Sequence, residues 1–207
     1  MKITSKTIIG QVKVQKRNTN EFVDVNIVKI TMLDKVALAL EKDSRQLIHE
    51  IFSDEYFNIS MKSNKKRGLY LSYILKTPHG QDYKGLAKIM DVLAVKESIE
   101  RGFGGKIYLN AVGNANPLHW ARGFRNIRDL KKTHNPLMQK IKAFFQAKRN
   151  AKMQKLFDKF VAAVKNGQNG LDAQEELTKH WISSEIMGLP EELLQQHIEA
   201  TKEIEYF

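Results

Sequence analysis

The octapeptide Gly80-Gln-Asp-Tyr-Lys-Gly85-Leu-Ala87 is the stretch whose residue types and spacing come closest to a working site. It lies between an apolar run and a helical pattern, so it reads as a strand-to-helix turn in which Gly85 lets the backbone approach a ligand. Free amides of a helix's first turn and the positive end of its dipole attract anions, and Lys84 and Lys88 add charge nearby. A phosphate-bearing ligand suits that corner. A tight turn and close helix packing account for the same two glycines equally well. A second candidate is His119, because an imidazole titrates near neutral pH and can supply a proton to a leaving group; a packed helix residue is the plainer reading. A third is Lys148, Lys152, Lys155 and Lys159, which recur at i, i+4, i+7 and i+11 and form one basic stripe on a helix. Such a stripe neutralises phosphates, although a solvated face, or one paired with acidic helices, explains it too. Membrane-surface binding by the same helix is weighed against the covering helices that follow it.

Other chemistry is excluded by what is missing. The 207 residues include no cysteine, which removes disulfides, thiolate metal sites and a Cys nucleophile. His49-Glu50 lacks a second His four positions after the first, and the six His residues show no ligand spacing, so no metal is expected. Gly102-Phe-Gly-Gly105 precedes a strand pattern instead of following one, the wrong context for a dinucleotide fingerprint. No Ser sits in a Gly-x-Ser-x-Gly elbow. There is no signal-peptide core, and no apolar run reaches the roughly 18 residues of a membrane span. The expectation is a soluble, cytoplasmic chain with no membrane span.

The formal charge of +11 is unevenly spread. Residues 122–165 hold 13 basic and 2 acidic side chains, whereas 166–207 hold 2 and 9. That asymmetry marks an interaction surface or two segments that neutralise one another.

These candidates must be positioned by the surrounding elements. Residues 7–14 and 21–28 alternate as strands and predict a hairpin turning at 17–20. In 33–52 the apolar positions recur mostly at helical intervals, which predicts one helix, or two split at Asp43-Ser44. Residues 57–61 and 68–75 read as strands joined by a basic turn, the second covered on both faces. A helix follows over 84–101 with Leu86, Ile89, Met90, Leu93 and Ala94 on one face and Gly102 at its end. Residues 106–112 form a strand, and Asn116 as N-cap with Pro117 at N1 opens a short helix that ends at Gly123. Asn135-Pro136 starts a long amphipathic helix to about 165, one helix or two split at the polar middle over 146–152. Phe144, Phe145, Phe157 and Phe160 fall mainly on its apolar face and read as core. Acidic helices over 172–187 and 190–203 close the chain. The expected class is α+β, a mixed central sheet flanked by helices over 1–130, with an all-helical C-terminal extension over 131–207.

At this point residues 68–124 resemble the GNAT-type N-acetyltransferase superfamily. Its motif Gln/Arg-x-x-Gly-x-Gly/Ala reads here Asp82-Tyr-Lys-Gly85-Leu-Ala87, with Asp82 where the family has Gln or Arg. The later strand, an Asn-containing turn and a short helix ending in aromatic-x-x-x-Gly-Phe look like residues 106–112, Asn114 and His119-Trp-Ala-Arg-Gly123-Phe124, with His119 in place of the usual tyrosine.

The resemblance implies a GNAT-like fold that transfers an acyl group, most commonly acetyl, from acyl-CoA to an amine of a small molecule or protein, with no metal. The cosubstrate would lie along Tyr73, Ile74 and Leu75, whose amides polarise the thioester carbonyl. Its diphosphate would sit on Tyr83, Lys84, Gly85, Leu86, Ala87 and Lys88, with Asn114 in the following turn, and His119 would protonate the thiolate. Two alternatives stand beside it: a nucleic-acid-binding protein using the basic 122–165 segment, and a non-catalytic GNAT-like interaction protein. Asp82 favours the latter, since a carboxylate beside a diphosphate is unhelpful. The C-terminal helices are candidates for a homodimer contact.

Overall fold

The computed structural model describes residues 3–19, 21–32, 35–57, 66–111, 115–178 and 185–206. It is α+β, with a mixed, open sheet, and the chain divides into two compact units, Met1–Tyr108 with Glu191–Phe207, and Leu109–Pro190. The split thus precedes the expected division at 130/131, and the final residues belong to the first unit instead of a separate extension.

The first unit opens with β1 (Ile3–Gln15) and β2 (Phe22–Met32), the expected antiparallel hairpin. The helix expected over 33–52 is instead a second hairpin, β3 (Val36–Lys42) and β4 (Arg45–Phe57), with Lys42 opposite Arg45. Asp43 and Ser44 have φ of 52° and 61°, and positive φ at both central residues marks a two-residue hairpin turn whose twist suits the flanking strands. Residues that met helical spacing also meet a period of two, and the buried run Ala37, Leu38, Ala39 and Leu40, all at or below 4% exposure, belongs to a strand covered on both faces. Residues 58–61, expected as part of another strand, lie outside the described residues; Phe57 ends β4.

β5 (Lys66–Lys76) follows, then a 3-10 helix (Pro78–Asp82), α1 (Leu86–Glu100) and β6 (Ile107–Ala111). In this unit the strand order is β5-β4-β3-β2-β1, and the Leu69 amide of β5 donates to the carbonyl of Lys106, just before β6, at 2.9 Å. α1 presents most of its predicted face to the core: Leu86, Met90, Leu93 and Ala94 are buried, against a sheet interior of Ile27, Leu40, Phe52 and Leu69, whereas Ile89 is half-buried. Its end is fixed by Gly102 at φ 77°, with Phe103 N–H bonded to Ser98 and Gly102 N–H to Ile99, the paired bonds of a Schellman cap.

The second unit contains α2 (Asn116–Ala121), β7 (Arg125–Asn126), α3 (Ile127–Leu130), α4 (Pro136–Lys165), α5 (Gly170–Thr178) and β8 (Glu185–Gly188). Ala115, not Asn116, is the N-cap of α2, and Asn116 is a helical residue buried to 0% exposure. α4 runs unbroken for 30 residues, about 45 Å at 1.5 Å per residue. Its start is capped by the Asn135 side chain, which accepts from the amides of Leu137 and Met138. The acidic segment over 172–187 is not one helix: α5 ends at Thr178, and Glu185–Gly188 is a strand antiparallel to β7. The C-terminal part is therefore not all helical. α6 (Glu191–Ala200), a 3-10 turn and β9 (Glu205–Tyr206) complete the first unit, β9 pairing with β1. No helix among the described residues is long and apolar enough to cross a membrane.

Candidate functional site

The segment between β5 and α1 is strapped down at both ends. At the β4 end, Thr77 N–H donates to the Leu47 carbonyl at 3.0 Å, and the Thr77 hydroxyl donates to the Gln46 carbonyl. Gly80 is required there, because a Cβ would lie 2.2 Å from the Leu47 carbonyl oxygen. At the other end, Lys84 N–H donates to Gln15 O at 2.9 Å, Arg17 N–H to Asp82 O at 2.6 Å, and Arg17 Nε–H to Gln81 O at 2.9 Å. Residues 77–84 thus lead from the end of β5 to the end of β1, four ladder steps away in the sheet order and about 19 Å apart at 4.8 Å per step.

The chain then turns at Gly85, whose φ of 74° is the left-handed conformation glycine adopts without steric cost. No side chain caps α1, and its first turn holds no acidic residue. Among the described residues, the amides of 85–88 have no acceptor, as the first amides of any helix lack an intrahelical one. The corner is not plugged: an added Cβ at Gly85 would meet nothing within 4 Å. A cavity of about 560 Å³ opens beside Gly85 and Lys88, walled by Gln11, Lys13 and Asp24 and by Glu203 from the C-terminal segment. Asp24 is 4.0 Å from the Lys13 ammonium, whereas Glu203 adds an unfavourable charge for an anion.

The Leu86 side chain is buried in the core, and Lys84 and Lys88 are exposed beside Gly85. The amides of Tyr83 and Lys84 are taken, by Gly80 O and Gln15 O, and are not available to a ligand. Asp82 has cationic company. The Lys76 ammonium pKa is lowered by burial first and by the neighbouring charge of Arg17 second, with Asp82 pulling it back up, so all three charges share one environment.

Tyr73, Ile74 and Leu75 lie in β5 opposite Ile51, Glu50 and His49. Leu71 pairs with Phe52 and Tyr73 with Ile51, which leaves Ser72 as an extra residue, a bulge. Asn114 lies outside the described residues. Sequence reasoning missed Glu50, 2% exposed and opposite Ile74, because the helical reading of 33–52 hid which strand it joins. It missed Arg17 as well, since only the fold brings that turn to residues 81 and 82.

His119 belongs to the second unit. Its ring packs edge-on to Phe124, with centroids 6.0 Å apart, and Arg122 Nη1 donates to Nδ1 at 3.1 Å, which leaves the ring hydrogen on Nε2. Burial first, and the Arg122 charge second, hold its pKa down to about 3. It is therefore neutral at pH 7 and is not a proton donor of the imidazolium kind, which removes the reason for choosing it as the acid. The unfolded chain takes up this proton near pH 6.5 and the folded chain does not, so stability should fall as pH drops below 6.5, by up to about 1.4 kcal/mol per pH unit. His119→Gln should flatten the slope of unfolding free energy between about pH 6 and pH 4; an unaltered slope would show a ring that titrates normally.

Around it, Trp120 Nε1–H donates to Asn150 Oδ1 at 3.0 Å and Arg149 pairs with Asp129, fixing the first part of the unit to α4. Lys148, Lys152, Lys155 and Lys159 are all exposed on that helix. Phe144 and Phe145, expected in the core, are 63% and 59% exposed; the residues α4 buries are Met153 and Leu156, in its second half. Among the described residues no cluster of His, Asp and Glu is arranged to hold a metal ion. No protein-family model matches the chain, and no curated protein or solved structure matches it.

Proposed function

We propose that the chain is an acyl-CoA-dependent N-acyltransferase with a GNAT-like core, and that the cosubstrate's diphosphate rests on the amides of residues 85–88. The observation that carries this reading is the run of unpaired amides at an open glycine, with Lys84 and Lys88 exposed beside it. Helix-start amides and the dipole favour a diphosphate there. The order β5, α1, β6 agrees with the resemblance, and the Ser72 bulge interrupts the β4–β5 ladder where an amide must be spared for the thioester carbonyl. A ligand reaching from β1 to β5 must be elongated, as an acyl-pantetheine joined to a nucleotide is. The amine nitrogen attacks the thioester carbon, the C–S bond breaks, and the amine's proton goes to a base while the thiolate takes one up. In this scheme the proton acceptor is Glu50, a buried carboxylate whose position in β4 is opposite Ile74. With His119 neutral, the thiolate draws its proton from solvent in this scheme.

Titration with acetyl-CoA tests the reading through the melting temperature. Acetyl-CoA and CoA should both raise it, since they share the diphosphate, and pantetheine should not. Absence of a rise at millimolar CoA removes the proposal; a rise without acyl transfer to any amine supports the non-catalytic alternative.

A further inference from the structure

One exposed row runs the length of α4. Leu137, Ile141, Phe144, Lys148, Lys152, Lys155 and Lys159 follow one another at intervals of three and four, so they share a face. All are exposed. The first half of the row is apolar and its second half cationic. Met138 and Phe145 widen the apolar half: Leu137, Met138, Ile141, Phe144 and Phe145 are 67, 51, 41, 63 and 59% exposed and fall within about 120° of the helix circumference. Among the described residues, the contacts of Lys142, Arg149, Asn150 and Met153 lie on a different side of the helix from this row, and the buried Leu156 marks its edge. α4 carries eight Lys and Arg against the single acid Asp158.

We propose that this row is a docking surface for an anionic lipid bilayer, with the apolar half inserted at the level of the acyl chains and the lysines lying over the headgroups. Nucleic acid would satisfy the lysines and leave five large apolar side chains in water. A second copy fits poorly. Parallel pairing of two rows sets lysine against lysine, and antiparallel pairing sets lysine over the apolar half. An anionic bilayer offers both an apolar layer and a negative surface, and basic amphipathic helices use both. The cap at Asn135 pre-forms the inserting end, so no helix has to be ordered on contact. The helix lies on the bilayer and does not span it. The proposal is independent of acyl transfer.

The test is co-sedimentation of the full chain with vesicles at physiological salt, comparing phosphatidylcholine alone with an equal mixture of phosphatidylcholine and phosphatidylglycerol. Retention on the anionic vesicles only is expected. The double variants Phe144→Ser/Phe145→Ser and Lys148→Glu/Lys155→Glu should each weaken it at least tenfold while leaving the melting temperature and the CoA response in place, since all four side chains are exposed. Several results would overturn the proposal: no retention on anionic vesicles, retention unaltered by the Phe variant, as for adsorption by charge alone, retention on RNA or DNA but not on vesicles, or a dimer in solution that the Phe variant dissolves.

Discussion

Glu97→Ala should cost about 3–5 kcal/mol of stability, a fall of about 6–20 °C in melting temperature for a chain of this size. The Glu97 carboxylate is 5% exposed and receives the Lys29 ammonium of β2 at 2.8 Å and the Arg101 guanidinium at 2.8 Å. It ties the last turns of α1 to the sheet, so it also sets where the other end of α1 presents its amides. Removing it leaves two partly buried cations without their shared partner, and that desolvated charge, more than the lost attraction, makes the effect large. Glu97→Ala combined with Lys29→Met should recover part of the loss, because one stranded charge goes with it. A cost below about 1 kcal/mol would place Glu97 with ordinary surface pairs.

The second large effect concerns Gly85. A ligand that binds only the folded chain adds about 2.7 kcal/mol at a hundredfold excess over Kd, and Gly85→Glu should abolish that gain. Gly85→Ala separates backbone strain from ligand exclusion. Any L side chain at φ 74° costs about 1–2 kcal/mol, so both variants should melt lower without CoA. Because nothing lies within 4 Å of an added Cβ, the methyl leaves room for a diphosphate, whereas a glutamate sets its own carboxylate against the same amides. Ala should keep most of the CoA response and Glu should lose it. Equal responses in both variants would move the ligand elsewhere.

What could be read in advance follows from where the information lies. The β1–β2 hairpin, β5, α1, β6 and both ends of α4 rest on local signals: alternation, a Pro behind an Asn cap, a Gly past a last turn. The β3–β4 hairpin was hidden because its leucines and isoleucines satisfy both periods, and Asp43-Ser44 is a weaker turn signal than Asn-Gly. Periodicity also groups Phe144 and Phe145 with Leu137 without saying whether anything covers that face, and nothing among the described residues does. The open amides of 85–88 were legible from a strand, a glycine and a helix in order. That Lys84 bonds Gln15, and so carries the helix start to β1, depends on a contact between residues 69 positions apart, which no local pattern encodes.

The most direct measurement is the ¹⁵N-edited NMR spectrum of the labelled chain during titration with CoA. The amide signals of Gly85, Leu86, Ala87 and Lys88 should move furthest, and pantetheine should leave them in place. Saturation by CoA with those four signals unmoved, or a spectrum unaltered at millimolar CoA, would contradict a diphosphate seat at the start of α1.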